Sequence, residues 1–141
     1  MSGTSPRAKM KRKVIFDSNI LVSLSKGEID PVRFADAFCK NKWLVSIITK
    51  IEVLSKPLLT AEDERFLLKF LTECKTINLS RSIVSETIRF RQTNRRKLPD
   101  SIIAATAVTL GAALISNDSH LLQVQYPALA VEPFELLSVS S

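Results

Sequence analysis

Short apolar runs alternate with amphipathic stretches along the whole chain. Val14-Ile15-Phe16 is β-prone and stops abruptly at Asp17, which reads as a buried strand over Lys13–Phe16. Ile20, Leu21 and Leu24 then fall at helical spacing and predict a helix from Ser18 to Ser25, ended by Lys26-Gly27. Asp30-Pro31 is an N-cap and first-turn pair for a helix to about Lys40, with Phe34, Ala37 and Phe38 on one face. Trp43 to Ile47 reads as a second strand. Thr49 to Leu54 follows as a helix that must end near Lys56-Pro57. Thr60, with Asp63 three residues on, opens a helix whose apolar face is Phe66, Leu67, Phe70 and Leu71. Thr76 to Leu79 is a third strand, and Ser80 to about Thr93 a helix carrying Ile83, Val84 and Ile88. Asp100 opens a very apolar helix to about Leu110, with Gly111 as its C-cap. Ala112 to Ile115 is the fourth strand, and Leu129 to Val131 a short fifth one at an edge.

Apolar strands between amphipathic helices imply an α/β fold: a mostly parallel sheet of four or five strands, covered by helices on both faces. In such sheets ligands bind beyond the carboxyl ends of the strands. Residues 10–136 read as one compact unit, followed by a polar tail at 137–141. Met10 before Lys11-Arg12-Lys13 reads as a natural start, and residues 1–9 as a tag remnant or disordered tail.

Composition narrows the class. The chain has 141 residues, of which 45% are hydrophobic and 24% charged, a globular balance. Its longest mostly apolar run, Ile102 to Ile115, is short of the roughly 20 residues of a membrane-spanning helix. The net charge is +6, but five cations without an acid lie between Arg7 and Lys13. The remaining 15 basic and 14 acidic side chains nearly cancel, so the overall charge is poor support for nucleic-acid binding. Cys39 and Cys74 lack zinc-site spacing and read as buried thiols in a reducing compartment. Trp43 reads as core, since one Trp and one Tyr make no stacking platform.

Four acids stand where the pattern draws attention. Asp17 follows the first strand, Glu52 lies inside an apolar helix, Asp100 starts the most apolar helix, and Asp118 follows the fourth strand. Each has an ordinary reading. Asp17 and Asp118 suit helix caps or turns. Glu52 suits a surface pair with Lys56, and Asp100 an N-cap or a first-turn acid favoured by the helix dipole. Capping does not explain why Glu52 sits among isoleucine, valine and leucine.

The ordered segments FDSNIL, KIEVLS, LPDSIIAATA and ISNDSHL resemble the successive motifs of the PIN-domain nucleases, and within these the small VapC-type toxins of toxin–antitoxin pairs. The resemblance covers about residues 13–134. It implies a PIN-like three-layer α/β/α fold with metal-binding, catalytic acids at Asp17, Glu52, Asp100 and Asp118. Asn19, Ser116 and Asn117 would support them, and Ser18 and Ser116 stand where many relatives have threonine. It further implies RNA cleavage that leaves a 5′-phosphate and a 3′-hydroxyl, cytoplasmic action, homodimerisation, and a cognate antitoxin whose tail fills the acidic groove.

The chemistry is consistent with that resemblance. Hard oxygen ligands suit Mg²⁺ or Mn²⁺, and such ions promote phosphodiester hydrolysis. Four neighbouring carboxylates without metal should couple and titrate high. Arg89, Arg91, Arg95, Arg96 and Lys97 lead into Asp100 without an intervening acid. They read either as a solvated helix face or as a phosphate-gripping lip, with Arg95, Arg96 and Lys97 as RNA-binding residues. His120 reads as a helix-start or surface residue, not a base. The chain has no dinucleotide or P-loop glycine pattern and no serine-hydrolase elbow. Two other classes remain open, a housekeeping RNA-processing nuclease without antitoxin and a catalytically inactive binding module.

Overall fold

The computed structural model describes residues 11–57 and 59–138. The segment 1–9 and most of the 137–141 tail therefore lie outside the described residues. Five strands, β1 (Lys13–Phe16), β2 (Lys42–Ser46), β3 (Lys75–Ile77), β4 (Ala113–Ile115) and β5 (Val131–Glu132), form one sheet in the order β3-β2-β1-β4-β5. Every pairing is parallel. All carboxyl ends thus share one edge. The chain builds outward from β1 to β3, then returns to β1's other side with β4, which places a topological switch point between β1 and β4.

Among the described residues, seven helices cover the sheet: α1 (Ser18–Ser25), α2 (Pro31–Phe38), α3 (Ile47–Leu54), α4 (Ala61–Thr72), α5 (Arg81–Thr93), α6 (Leu98–Leu110) and α7 (Ser119–Leu122). Strand alternation sorts their partners. Val14, Phe16, Val45 and Ile115 pack with the buried residues of α1, α2 and α4. Ile15, Leu44 and Leu114 face the other way, onto Ile103 and Ala107 of α6 and Leu121 of α7. Ile83 of α5 packs on Ile102 and Ala105 of α6. The three-layer α/β arrangement read from the sequence is the one observed.

Phe16 anchors the first layer. Its ring centroid lies 5.1 Å from Phe34, 5.4 Å from Trp43 and 5.8 Å from Phe70. Such aromatic pairs add about 0.5–1.5 kcal/mol beyond burial. They also fix the end of β1, one residue before Asp17. Trp43 lies in this core, with its Nε1 donating to the Phe38 carbonyl at 2.8 Å.

Several expectations need correction. Helix α6 starts at Leu98, not at Asp100, because Pro99 fits a first turn that needs no N–H. Asp100 is therefore a first-turn acid rather than a cap. Val84 and Ile88 are exposed; the inner stripe of α5 is Ile83, Thr87 and Phe90. Thr87 tolerates burial because its hydroxyl donates to the Ile83 carbonyl. Cys39 is exposed at the end of α2. Cys74 is half-buried, and burial, with Glu73 beside it, pushes its thiol up to about 12.

Candidate active site

Asp17 is held from three sides. It is the residue after β1, and its backbone N–H donates to Ile115 of β4 at 3.0 Å. Its Oδ1 accepts from the Ser18 N–H at 2.7 Å, so it does cap α1. Its Oδ2 accepts from the Ser116 hydroxyl at 2.7 Å and from the Asn19 amide at 3.2 Å. Only 5% of Asp17 is exposed. Burial pushes its carboxyl up to about 6; Ser116 and Ser18 pull it down, and the charges of Asp100 and Asp118 add to the rise.

The loop after β4 is built onto the same group. The Ser116 hydroxyl, donating to Asp17, accepts from the Asp118 N–H at 3.1 Å and the Asn19 amide at 3.2 Å. The side-chain Oδ1 of Asn19 accepts from the Asn117 N–H at 3.1 Å. The Asn117 side chain turns away and accepts from the Phe134 N–H at 2.8 Å. Its buried amide nitrogen has no acceptor among the described residues. Asp118 caps α7 by accepting from the His120 N–H at 2.8 Å, and His120 stands at the helix start, as read from the sequence.

A cleft of about 330 Å³ opens here, lined by Asp17, Glu52, Asp100 and Asp118 together with Ser18, Asn19 and Lys56. The four acids arrive from β1, α3, α6 and the loop after β4. Glu52 makes no ion pair with Lys56 among the described residues. Its Oε1 accepts from the Ser18 hydroxyl at 2.6 Å instead. Burial raises the Asp100 carboxyl, Asp118 and Glu52 raise it further, and Lys97 and Arg96 oppose the rise.

No three acidic, histidine or cysteine side chains among the described residues converge closely enough to ligate one ion as they stand. The donor set nevertheless suits a hard divalent cation: it is all carboxylate, with hydroxyl and amide groups behind it and two members raised by burial and, to a lesser degree, by the neighbouring acids.

Arg95, Arg96 and Lys97 lie outside the acid cleft. Arg95 and Arg96 line a neighbouring cavity, and Lys97 precedes the first residue of α6. Sequence reasoning saw Ser18 only as a hydroxyl at a motif position, and Lys56 only as a pairing partner. Ser18 follows Asp17 at the start of α1. Lys56 falls four residues after Glu52, just past the end of α3. Those placements were the available signals.

An all-parallel sheet with acids gathered at its switch point defines an α/β protein with an acidic cleft beyond its strands' carboxyl ends. The PIN-domain model matches residues 14–125, and the chain belongs to the PIN-domain family, whose members are nucleases that generally depend on divalent metal. Solved structures resemble it over nearly their whole length. A chain of VapBC2 from Rickettsia felis, bound to a promoter DNA fragment, superposes with a TM-score of 0.73 at 19% identity, over 87% of this chain and 99% of that one. A chain of a toxin–antitoxin complex from Klebsiella pneumoniae gives 0.69 at 29% identity, covering 83% and 95%. A chain of DNA-bound VapBC from Salmonella typhimurium gives 0.71 at 18%, covering 86% and 98%. No curated protein matches the chain in sequence. Among the described residues, no helix is long and apolar enough to cross a membrane.

Proposed function

We propose that residues 10–136 form a divalent-metal-dependent endoribonuclease, acting in the cytoplasm as the toxin of a type II toxin–antitoxin pair. The supporting observation is that Asp17, Glu52, Asp100 and Asp118, from four separate segments, line one cleft at the switch point. The origin of the similar structures in toxin–antitoxin complexes supports the antitoxin partner. Homodimerisation belongs to the same reading.

Asp17, Asp100 and Asp118 would hold Mg²⁺ or Mn²⁺, with Glu52 as a further ligand, direct or through water. Bound there, the ion supplies positive charge to the phosphoryl group, acidifies water and stabilises the leaving oxygen. The chain's own groups do the rest. Ser116 and the Ser18 N–H fix both oxygens of Asp17, so its lone pairs are presented in one orientation. The Ser18 hydroxyl holds Oε1 of Glu52, leaving Oε2 to take a proton from an attacking water. Attack of that water on phosphorus, with departure of the 3′ oxygen and its protonation by solvent, leaves a 5′-phosphate and a 3′-hydroxyl. Lys56 and the Arg95–Lys97 cations grip neighbouring phosphates.

The direct test compares wild type with Asp100→Asn on single-stranded and structured RNA, with Mg²⁺ and then with EDTA. Cleavage by wild type alone, abolished by EDTA, is expected. Equal cleavage by both proteins would refute the assignment.

A further inference from the structure

Beside the acid cleft lies a larger recess of about 680 Å³, between α5 and the first turn of α6. Its volume falls in the range of roughly 300–1,000 Å³ usual for small-ligand sites. Ile88 and Leu98 form its apolar surface, and they are 56% and 51% exposed although large and hydrophobic. Arg91, Arg95 and Arg96 stand around them, and none has an acidic partner among the described residues, whereas nearby Arg89 is paired with Glu86. Arg96 Nη2 donates to the His120 carbonyl at 3.2 Å, which aims the guanidinium. The Gln92 amide offers both a donor and an acceptor at the rim.

No acid lines this recess. A two-fold contact with a second copy through it would set three guanidiniums against three. Charge complementarity favours an occupant that carries negative charge, and Ile88 and Leu98 offer it an apolar contact. Leu98 lines the recess and Asp100 the acid cleft. Residues two apart on a helix point to different sides, so the first turn of α6 is the wall between the two.

We propose that this recess is a nucleotide subsite of the cleavage site, which holds one unpaired RNA base against Ile88 and Leu98 while Arg91, Arg95 and Arg96 hold the flanking phosphates. The proposal rests on the ribonuclease reading and adds to it a choice of base near the cut. Single-stranded RNA is commonly read by splaying a base onto aromatic or guanidinium planes; here the three arginines offer such planes and Ile88 and Leu98 an apolar contact.

The test measures binding of a labelled mixed-sequence RNA decamer to the metal-free protein in EDTA, where nothing is cut. Ile88→Gln and Leu98→Gln alter exposed side chains and should each weaken binding about tenfold with the salt dependence unchanged. Arg91→Gln and Arg95→Gln should each lower the salt slope by about one. An abasic nucleotide moved along the RNA should weaken wild-type binding at one position, and that position should be silent in Ile88→Gln. Floor variants that bind every RNA as wild type does overturn the subsite. If wild type still cuts RNA with Mg²⁺ in that case, the subsite alone falls; if wild type neither binds nor cuts RNA, both readings fall. Should the floor and arginine variants lose a deca-glutamate peptide but retain RNA, the recess belongs to an acidic protein, and the proposal is also overturned.

Discussion

The hydroxyl of Ser116 donates to Oδ2 of Asp17 across 2.7 Å, joining residues 99 apart in the chain. The same oxygen accepts two N–H donors, from Asp118 and Asn19. Ser116→Ala therefore removes three hydrogen bonds at a buried point, leaves the Asp118 N–H without its acceptor, and should destabilise the fold by about 1–3 kcal/mol. Ser116→Thr keeps the hydroxyl and should lose much less. Urea midpoints at constant slope read the difference. Equal midpoints for alanine and wild type would mean that the bond contributes nothing.

Asp17 makes the metal-free protein sensitive to pH. Its carboxyl is pushed up to about 6 in the fold, against about 4 in an unfolded chain. The folded state holds the proton more tightly between those values. This contribution to stability is present below pH 4 and is lost as pH rises through 6, about 3 kcal/mol in all. Asp100 is shifted in the same direction. In EDTA, wild type should lose stability relative to Asp17→Asn between pH 4 and 7, on top of a constant offset from the altered hydrogen bonds. A difference that grows in the opposite direction would contradict the burial of an ionisable Asp17.

A divalent ion should remove that penalty. At one hundred times its Kd, Mg²⁺ or Mn²⁺ stabilises the fold by about 2.7 kcal/mol. A rise of several degrees in Tm is expected for wild type, and a smaller one for Asp118→Asn. A Tm unmoved by millimolar Mg²⁺ and Mn²⁺ would count against carboxylates that share an ion.

Neutralising Arg95, Arg96 and Lys97 together should weaken RNA binding and flatten its dependence on salt, by about one unit of slope per lost phosphate contact. An unchanged slope would return these residues to a solvated surface.

Gly111 ends α6 at φ +63°, and a Cβ there would meet nothing within 4 Å. Gly111→Ala should cost about 1–2 kcal/mol through backbone strain alone, and Gly111→Asn less. Thermal unfolding distinguishes the two.

Much of the fold was legible because its signals are local. Val14-Ile15-Phe16 breaks at Asp17 within one residue, and α2 and α4 announce themselves through Asp30-Pro31 and Thr60. The motif order also singled out the four acids that now line one cleft. Less local features were hidden. Val84 and Ile88 look as apolar as Ile83, and only the packing of α5 on α6 turns them outward. The fifth strand, expected at Leu129–Val131, lies at Val131–Glu132, where its pairing with Leu114 and Ile115 sets the bounds. The recess beside Leu98 depends on how a loop of cations folds back toward His120, which no spacing rule states.

The cleft needs a strand that begins at residue 13 and a loop that reaches residue 118. While a ribosome is still making the protein, Asp17 emerges long before Ser116 and Asp118 exist to meet it. A nascent chain, or one cut short anywhere before β4, therefore lacks Asp118 and the Ser116 hydroxyl that holds Asp17. Whatever this cleft does to other molecules begins only once residue 118 has been added and folded into place.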